Sequence, residues 1–405
     1  MNQSRIATLL FLSCASAFLS GCNHDDDPIE PEPQAILTLQ VDQAYDITGD
    51  KWIFASDENG EILDVQAYTD GQTVTLKSEK HPDKINVTLF KYSTHEDGSS
   101  QIAFTTWGDV ASGTTVHFKA VTANNPVTPE QGKATIKVSN YTGSAIIGIS
   151  NGYGYSYGGS LIAGNLEIDL SFYSVPSDIL LYGWRSGVPV YYVAEGVKSN
   201  DIVERDYMTD FTPFPHQAPL NFSGQNNAVI EGYDAKKSVY ITLMNTYILP
   251  QGDHPVIGYL DGYDAYDMTV TNVHANGSTT YHQIGAIDLS FDMPAFTASL
   301  TNTDIQNFSF NFSRDYTYHR AIWTNVTGKE YTWWMVHAPS GYAVKGLSIP
   351  PAILTKYPQL DMSKLKYGSL SFTEVVKGLS YEESVQDGFN ANADAATESY
   401  VYAVK

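Results

Sequence analysis

The chain has little positive charge, almost no cysteine and only one long apolar run. Its 405 residues carry 23 Lys and Arg against 45 Asp and Glu, a formal net charge of −22. A surface this acidic repels phosphate backbones and anionic headgroups, which excludes nucleic acid as a partner and a basic membrane-docking face. Solubility, or adaptation to a salty habitat, accounts for the charge without a specific cationic partner. Cysteine occurs twice, at Cys14 and Cys22, too few for a disulfide framework. The ten histidines include no H-E-x-x-H motif and no i,i+4 pair, so no zinc-hydrolase site is offered. No fixed-period repeat and no Trp-Asp blade signature is present, which argues against a propeller. What the chain does have is 42% hydrophobic and 13% aromatic residues, a globular composition and not a disordered one.

The apolar run lies at the N-terminus. Arg5 precedes residues Ile6 to Leu19, a stretch too short to span a bilayer and placed where a secretory signal belongs. It ends in Leu19-Ser20-Gly21-Cys22. This quartet resembles the lipobox of bacterial lipoproteins, in which the cysteine is lipidated and becomes the mature N-terminus. The resemblance implies a signal peptide at residues 1–21, a mature chain of 405 − 21 = 384 residues, and a lipid on Cys22. Cys14 would leave with the signal, so the mature chain would hold no disulfide. The acidic segment after the cysteine, NHDDDPIEPEPQA, looks like the surface-export signals of Bacteroidota lipoproteins, and Asn23 departs from the aspartate that retains enteric lipoproteins in the inner membrane. The expected address is the outer membrane, lipid-anchored and facing the cell surface. No second apolar stretch reaches spanning length, so the lipid is the expected anchor.

Residues 22–35 read as an acidic, proline-bearing tether. From residue 36 to 122 the hydrophobic period is two: Leu37, Leu39 and Val41, then Val74 and Leu76, then Ile85, Val87 and Leu89 alternate with polar residues. Asn59-Gly60, Asp70-Gly71 and Asp97-Gly98 supply hairpin turns between them. Roughly seven strands at this spacing predict a β-sandwich that folds alone, although a barrel gives the same signals, followed by a linker at 123–132. A second β-rich block covers 133–234 and an irregular, proline-rich stretch falls near Phe211–Pro219. A third block covers 235–405, either separate from the second or continuous with it. One short helix is predicted near Pro351–Tyr357, opened by prolines and closed by Pro358. The fold class is all-β, built of tandem antiparallel sandwich-like domains.

Candidate chemistry is sparse. Gly154-Tyr155-Ser156-Tyr157-Gly158 matches G-x-S-x-G, but a serine nucleophile needs a strand-to-helix turn there and no helical pattern follows. Asp57-Glu58-Asn59-Gly60 opens like a calcium loop yet has Ile62 and Tyr68 where glycine and glutamate are required, and a hairpin turn accounts for it. Asp261, Asp264 and Asp267 are the better calcium candidates, although spacing by three alternates faces on a regular strand and solvated turn acids are the plainer reading. Tyr153, Tyr155 and Tyr157 crowd one Gly/Tyr-rich loop and suit a sugar or peptide surface. Trp333 and Trp334 are further candidates for ligand binding; they point to opposite faces of a strand, so at most one of them belongs to the core of a one-faced sheet. No constellation identifies catalysis.

The sequence therefore predicts an envelope or cell-surface lipoprotein with a non-catalytic binding role toward a glycan, a peptide or an envelope partner. The alternatives are an extracellular polymer hydrolase and a structural spacer or adhesin. The lipid assignment is checked directly: Cys22→Ser should abolish incorporation of labelled palmitate, and label in that variant at the wild-type level refutes it.

Overall fold

The computed structural model describes residues 32–43, 49–120, 130–142, 147–151, 155–158, 160–162, 164–247, 252–389 and 396–405. Cys22, most of the tether and most of the 123–132 linker lie outside the described residues. The described chain is all-β apart from two six-residue α-helices and one 3-10 turn.

Seven strands, from Gln34–Val41 to Thr114–Phe118, form a sandwich. One layer has Gln34–Val41 at its centre, antiparallel to Thr73–Ser78 and parallel to Thr114–Phe118. The other runs in the order Ile62–Tyr68, Asp50–Ser56, Lys84–Thr94, Ser100–Ala111. Leu37, Leu39 and Val116 meet Ile53, Ile85, Val87 and Trp107 in the core between them. The alternation read from the sequence is the alternation that packs. Gly60, Gly71 and Gly98 all take positive φ at their turns. Asp57 accepts the backbone N–H groups of Asn59 and Glu61, both at 2.9 Å, so this acid shapes a turn.

The second layer does not end at Ser100–Ala111. That strand pairs in parallel with Glu330–Pro339, and a sheet of twelve strands continues through Tyr318–Thr327, Lys366–Gly378, Ala396–Val404, Gly277–Gly285, Ala265–His274, Gln225–Asp234 and Val239–Asn245. All its other pairings are antiparallel. The first and third blocks thus share one sheet. Their joint core buries Phe54, Phe90, Ile102 and Phe104 against Trp334, Val336, Leu347, Ile353 and Tyr357. Strand Asp50–Ser56 is accordingly covered on both faces, with Ile53 and Ala55 inside the sandwich and Phe54 outside it.

Between these blocks a second sandwich forms. Gly132–Ser139, Asn165–Phe172 and Ile202–Asp206 face Ile147–Ser150, Ser177–Arg185 and Val188–Val197 across a core containing Ile136, Phe172 and Leu181. The outward side chains Leu180, Tyr182 and Trp184 pack on Ile230, Met244 and Met268 of the long sheet. The border at 234/235 falls inside the hairpin that joins Gln225–Asp234 to Val239–Asn245, whose turn is held by Asp234 accepting the N–H of Lys236 and Lys237.

One local expectation holds and two change. The Pro351–Lys356 helix is present, with proline in its first turn. A second helix, Tyr381–Gln386, was not expected; its Ser380/Glu383 capping box is the sequence signal for it. Within the proline-rich stretch, His216–Pro219 is a short strand paired with Val256–Tyr259, because its free edge tolerates proline.

The shared core has a measurable consequence. Each outward Phe or Ile of the first sandwich gains about 1.5–3 kcal/mol from burial. Residues 36–122 expressed alone should therefore associate or melt far below the intact chain, as read by sedimentation and circular dichroism. A monomeric fragment melting at the intact chain's temperature contradicts this coupling.

His319 and His337 are the most deeply buried of the described histidines. His319 sits among Phe310, Tyr316 and Phe372, and His337 stacks on Trp107 with ring centroids 4.4 Å apart. Burial pushes His319 down to about 4 from an ordinary 6.5. Burial first, then the Arg320 charge and His319, pushes His337 down to about 3. Above pH 6.5 both are neutral whether the chain is folded or unfolded. As pH falls below 6.5 only the unfolded chain takes up these protons, so stability is lost at about 1.4 kcal/mol per pH unit for each histidine. For His319 the loss continues until the pH reaches its folded value near 4. The His319→Phe and His337→Phe variants should each show a shallower loss between pH 6.5 and 5 in denaturant titrations. Slopes equal to wild type exclude this origin.

Candidate recognition surface on the central strand

Strand Glu330–Pro339 lies between Tyr318–Thr327 and Ser100–Ala111, and its side chains alternate between two environments. Trp334 faces the core. It is 0% exposed, stacks on Phe104 at 4.4 Å and 12°, and donates its indole N–H to Thr106 Oγ1 at 2.8 Å. Thr106 Oγ1 in turn lies 2.8 Å from Thr88 Oγ1. Trp334 is therefore closed to a ligand, which removes it as a binding candidate, and no more than one of the two tryptophans is core, as expected.

Tyr331, Trp333 and Met335 share the other face. Tyr331 is 40% exposed, and Trp333 and Met335 are half-buried. Their register neighbours are Gln101, Ala103 and Thr105 on one side and Val326, Thr324 and Ile322 on the other. Lys91 and Ser93 come next, beside Ala103 and Gln101. The result is a flat strip with two aromatic rings, a small residue beside Trp333, and donors and acceptors within a strand's width. Tyr331 was not singled out from the sequence. Period two was the available signal, since it places Tyr331 on the same face as Trp333.

The remaining candidates are placed differently. Tyr153 lies outside the described residues. Tyr155 and Tyr157 stand on an edge strand, Tyr155–Gly158, where a loop was expected; Tyr155 pairs with Ser150 and Tyr157 with Gly148. Ser156 is on the same strand, with no helix after it, which removes the geometry of a nucleophile turn. The three aspartates are drawn to separate partners. Asp261 Oδ2 is 2.7 Å from His216 Nε2, Asp264 accepts the Ala235 N–H at 2.8 Å, and Asp267 Oδ1 is 3.0 Å from His282 Nε2. Among the described residues no group of three or more His, Cys, Asp or Glu side chains is arranged to hold a metal ion.

Asp267 and His282 have one further neighbour, Ser399, directly opposite His282 in the sheet. An Asp–His–Ser order is the order of a hydrolytic triad. Ser399, however, is 0% exposed, so its hydroxyl is closed to a substrate and the alignment is a feature of the sheet interior.

No family model matches the chain, and no curated protein does. Among solved structures, the chain is similar in part to two bacterial adhesins. A 1.5-MDa bacterial ice-binding adhesin studied for its host cell surface retention gives a TM-score of 0.13 at 9% identity, covering 60% of this chain and 86% of that one. A Ca2+-stabilized adhesin of an ice-binding Antarctic bacterium gives 0.13 at 7%, covering 84% and 95%. Likenesses this low carry no argument about fold or function. No helix among the described residues is long and apolar enough to cross a membrane.

Proposed function

We propose that this chain is a lipid-anchored envelope protein that binds a neutral polysaccharide without catalysis. The observation that carries the reading is the Tyr331–Trp333 strip. Flat rings with an exposed face suit the C–H face of a sugar, while Gln101 and Thr324 offer hydrogen bonds to hydroxyls at the ring edge. The strip is pre-formed on a sheet whose reverse side is core, so little ordering is needed on binding. A net charge of −22 disfavours anionic polymers, which leaves neutral ones. The tether would carry this surface away from the bilayer toward a polymer outside the cell.

The test is a binding isotherm on insoluble neutral polysaccharides, with cellulose, chitin and mannan as probes. The Tyr331→Ser/Trp333→Ala double variant should bind about tenfold more weakly, the effect of losing two ring contacts worth about 0.5–1.5 kcal/mol each. Its melting should remain cooperative. Unchanged affinity, or no wild-type binding to any of the three, refutes the reading.

A further inference from the structure

The same strand borders a cleft on its core side. Between the strand ends Asn325–Thr327 and Glu330–Thr332 and the 3-10 turn Met362–Lys364 lies a cavity of about 150 Å³. Its apolar floor includes Ile349, Leu360, Met362 and Leu365. Its rim is polar and already held in place. Glu330 Oε2 accepts Gln359 Nε2 at 3.2 Å, which ties the strand to the turn. Asp361 Oδ1 caps the turn by accepting Ser363 N at 3.0 Å and Ser363 Oγ at 2.6 Å, and its other oxygen lies 3.7 Å from Lys364 Nζ.

We propose that this cleft is a second ligand site, one that takes a single neutral sugar ring. Three observations converge. The volume of about 150 Å³ falls below the roughly 300–1,000 Å³ of drug-sized ligand pockets, which limits the occupant to one small ring. An apolar floor with acceptors and donors along the rim matches a ring with one C–H face and hydroxyls at its edge. Glu330 and Asp361 against Lys364 leave the rim one negative charge, which rejects phosphate, sulfate and carboxylate ligands. Ser363's hydroxyl, followed by its backbone N–H, holds Asp361 below the usual carboxylate range, so this carboxylate stands on the rim as an acceptor.

The site is independent of the exposed strip, because Glu330 and Thr332 point away from Tyr331 and Trp333. Saturation-transfer NMR on the intact protein with glucose, mannose or N-acetylglucosamine should show transfer to at least one of them. Ethanolamine and inorganic phosphate serve as competitors. Glu330→Ala should weaken the sugar about tenfold, the effect of losing one charged hydrogen bond. Asn325→Trp should block it by filling the mouth. Trp333→Ala should lower polysaccharide affinity and leave the monosaccharide signal in place, which separates failure of the strip from failure of the cleft. The proposal is overturned by absent transfer in the wild type, by displacement with ethanolamine or phosphate, or by a signal that survives both Glu330→Ala and Asn325→Trp. Loss of the signal in Trp333→Ala overturns it too, since the sugar would then sit on the strip.

Discussion

The parallel pairing of Ser100–Ala111 with Glu330–Pro339 is the contact on which the rest of the described structure depends. It joins strands more than two hundred residues apart, with Trp334 donating to Thr106 across a separation of 228. Parallel strands favour covered faces, and here the Phe104–Trp334 core covers one face throughout while the sandwich covers the His337 end of the other, where that ring stacks on Trp107. Removing the Trp334 side chain would open a cavity at this seam and cost about 3–5 kcal/mol. Loop-closure entropy must be met before such a pairing gains any contact, so it is a late event in folding on general grounds.

That seam also sets what the surface can do. A strand with one face locked into a packed core holds the side chains of its other face in fixed positions. Tyr331 and Trp333 owe their placement to Thr332 and Trp334, the residues between and beside them that are buried. The cleft follows from the same alternation, because Glu330 and Thr332 lie at the end of the buried face where the 357–365 segment stops covering it. Recognition and stability are therefore adjacent positions of one strand.

The acidic surplus has a structural use in the turns. Asp97, Asp288 and Asp361 each precede a serine by two residues and accept both its backbone N–H and its hydroxyl. The serine hydroxyl is the largest cause holding all three carboxyls below their ordinary range. Asp57, Asp234 and Asp304 accept backbone N–H groups in the same way. Acids spent on turns are spread along the chain, which is why Asp261, Asp264 and Asp267 serve three different partners.

The sequence by itself determined the strands, because alternation and turn chemistry are local. Leu37, Leu39, Ile85 and Val87 are buried as their period required, Gly60, Gly71 and Gly98 turn the chain, and prolines open the Pro351–Lys356 helix. It also determined that Trp333 and Trp334 part company, since neighbours on a strand face opposite ways. Only the tertiary structure decided which strands pair, and hence that the first and third blocks share a sheet. Period two marks a residue as facing one side or the other; it does not say what lies against that side. Phe54, Phe90 and Phe104 stand on the second face of a sandwich layer, and only packing from residues 296–360 shows that this face is buried too. Tyr331 becomes a candidate for the converse reason, since nothing in its neighbourhood covers it to the same extent.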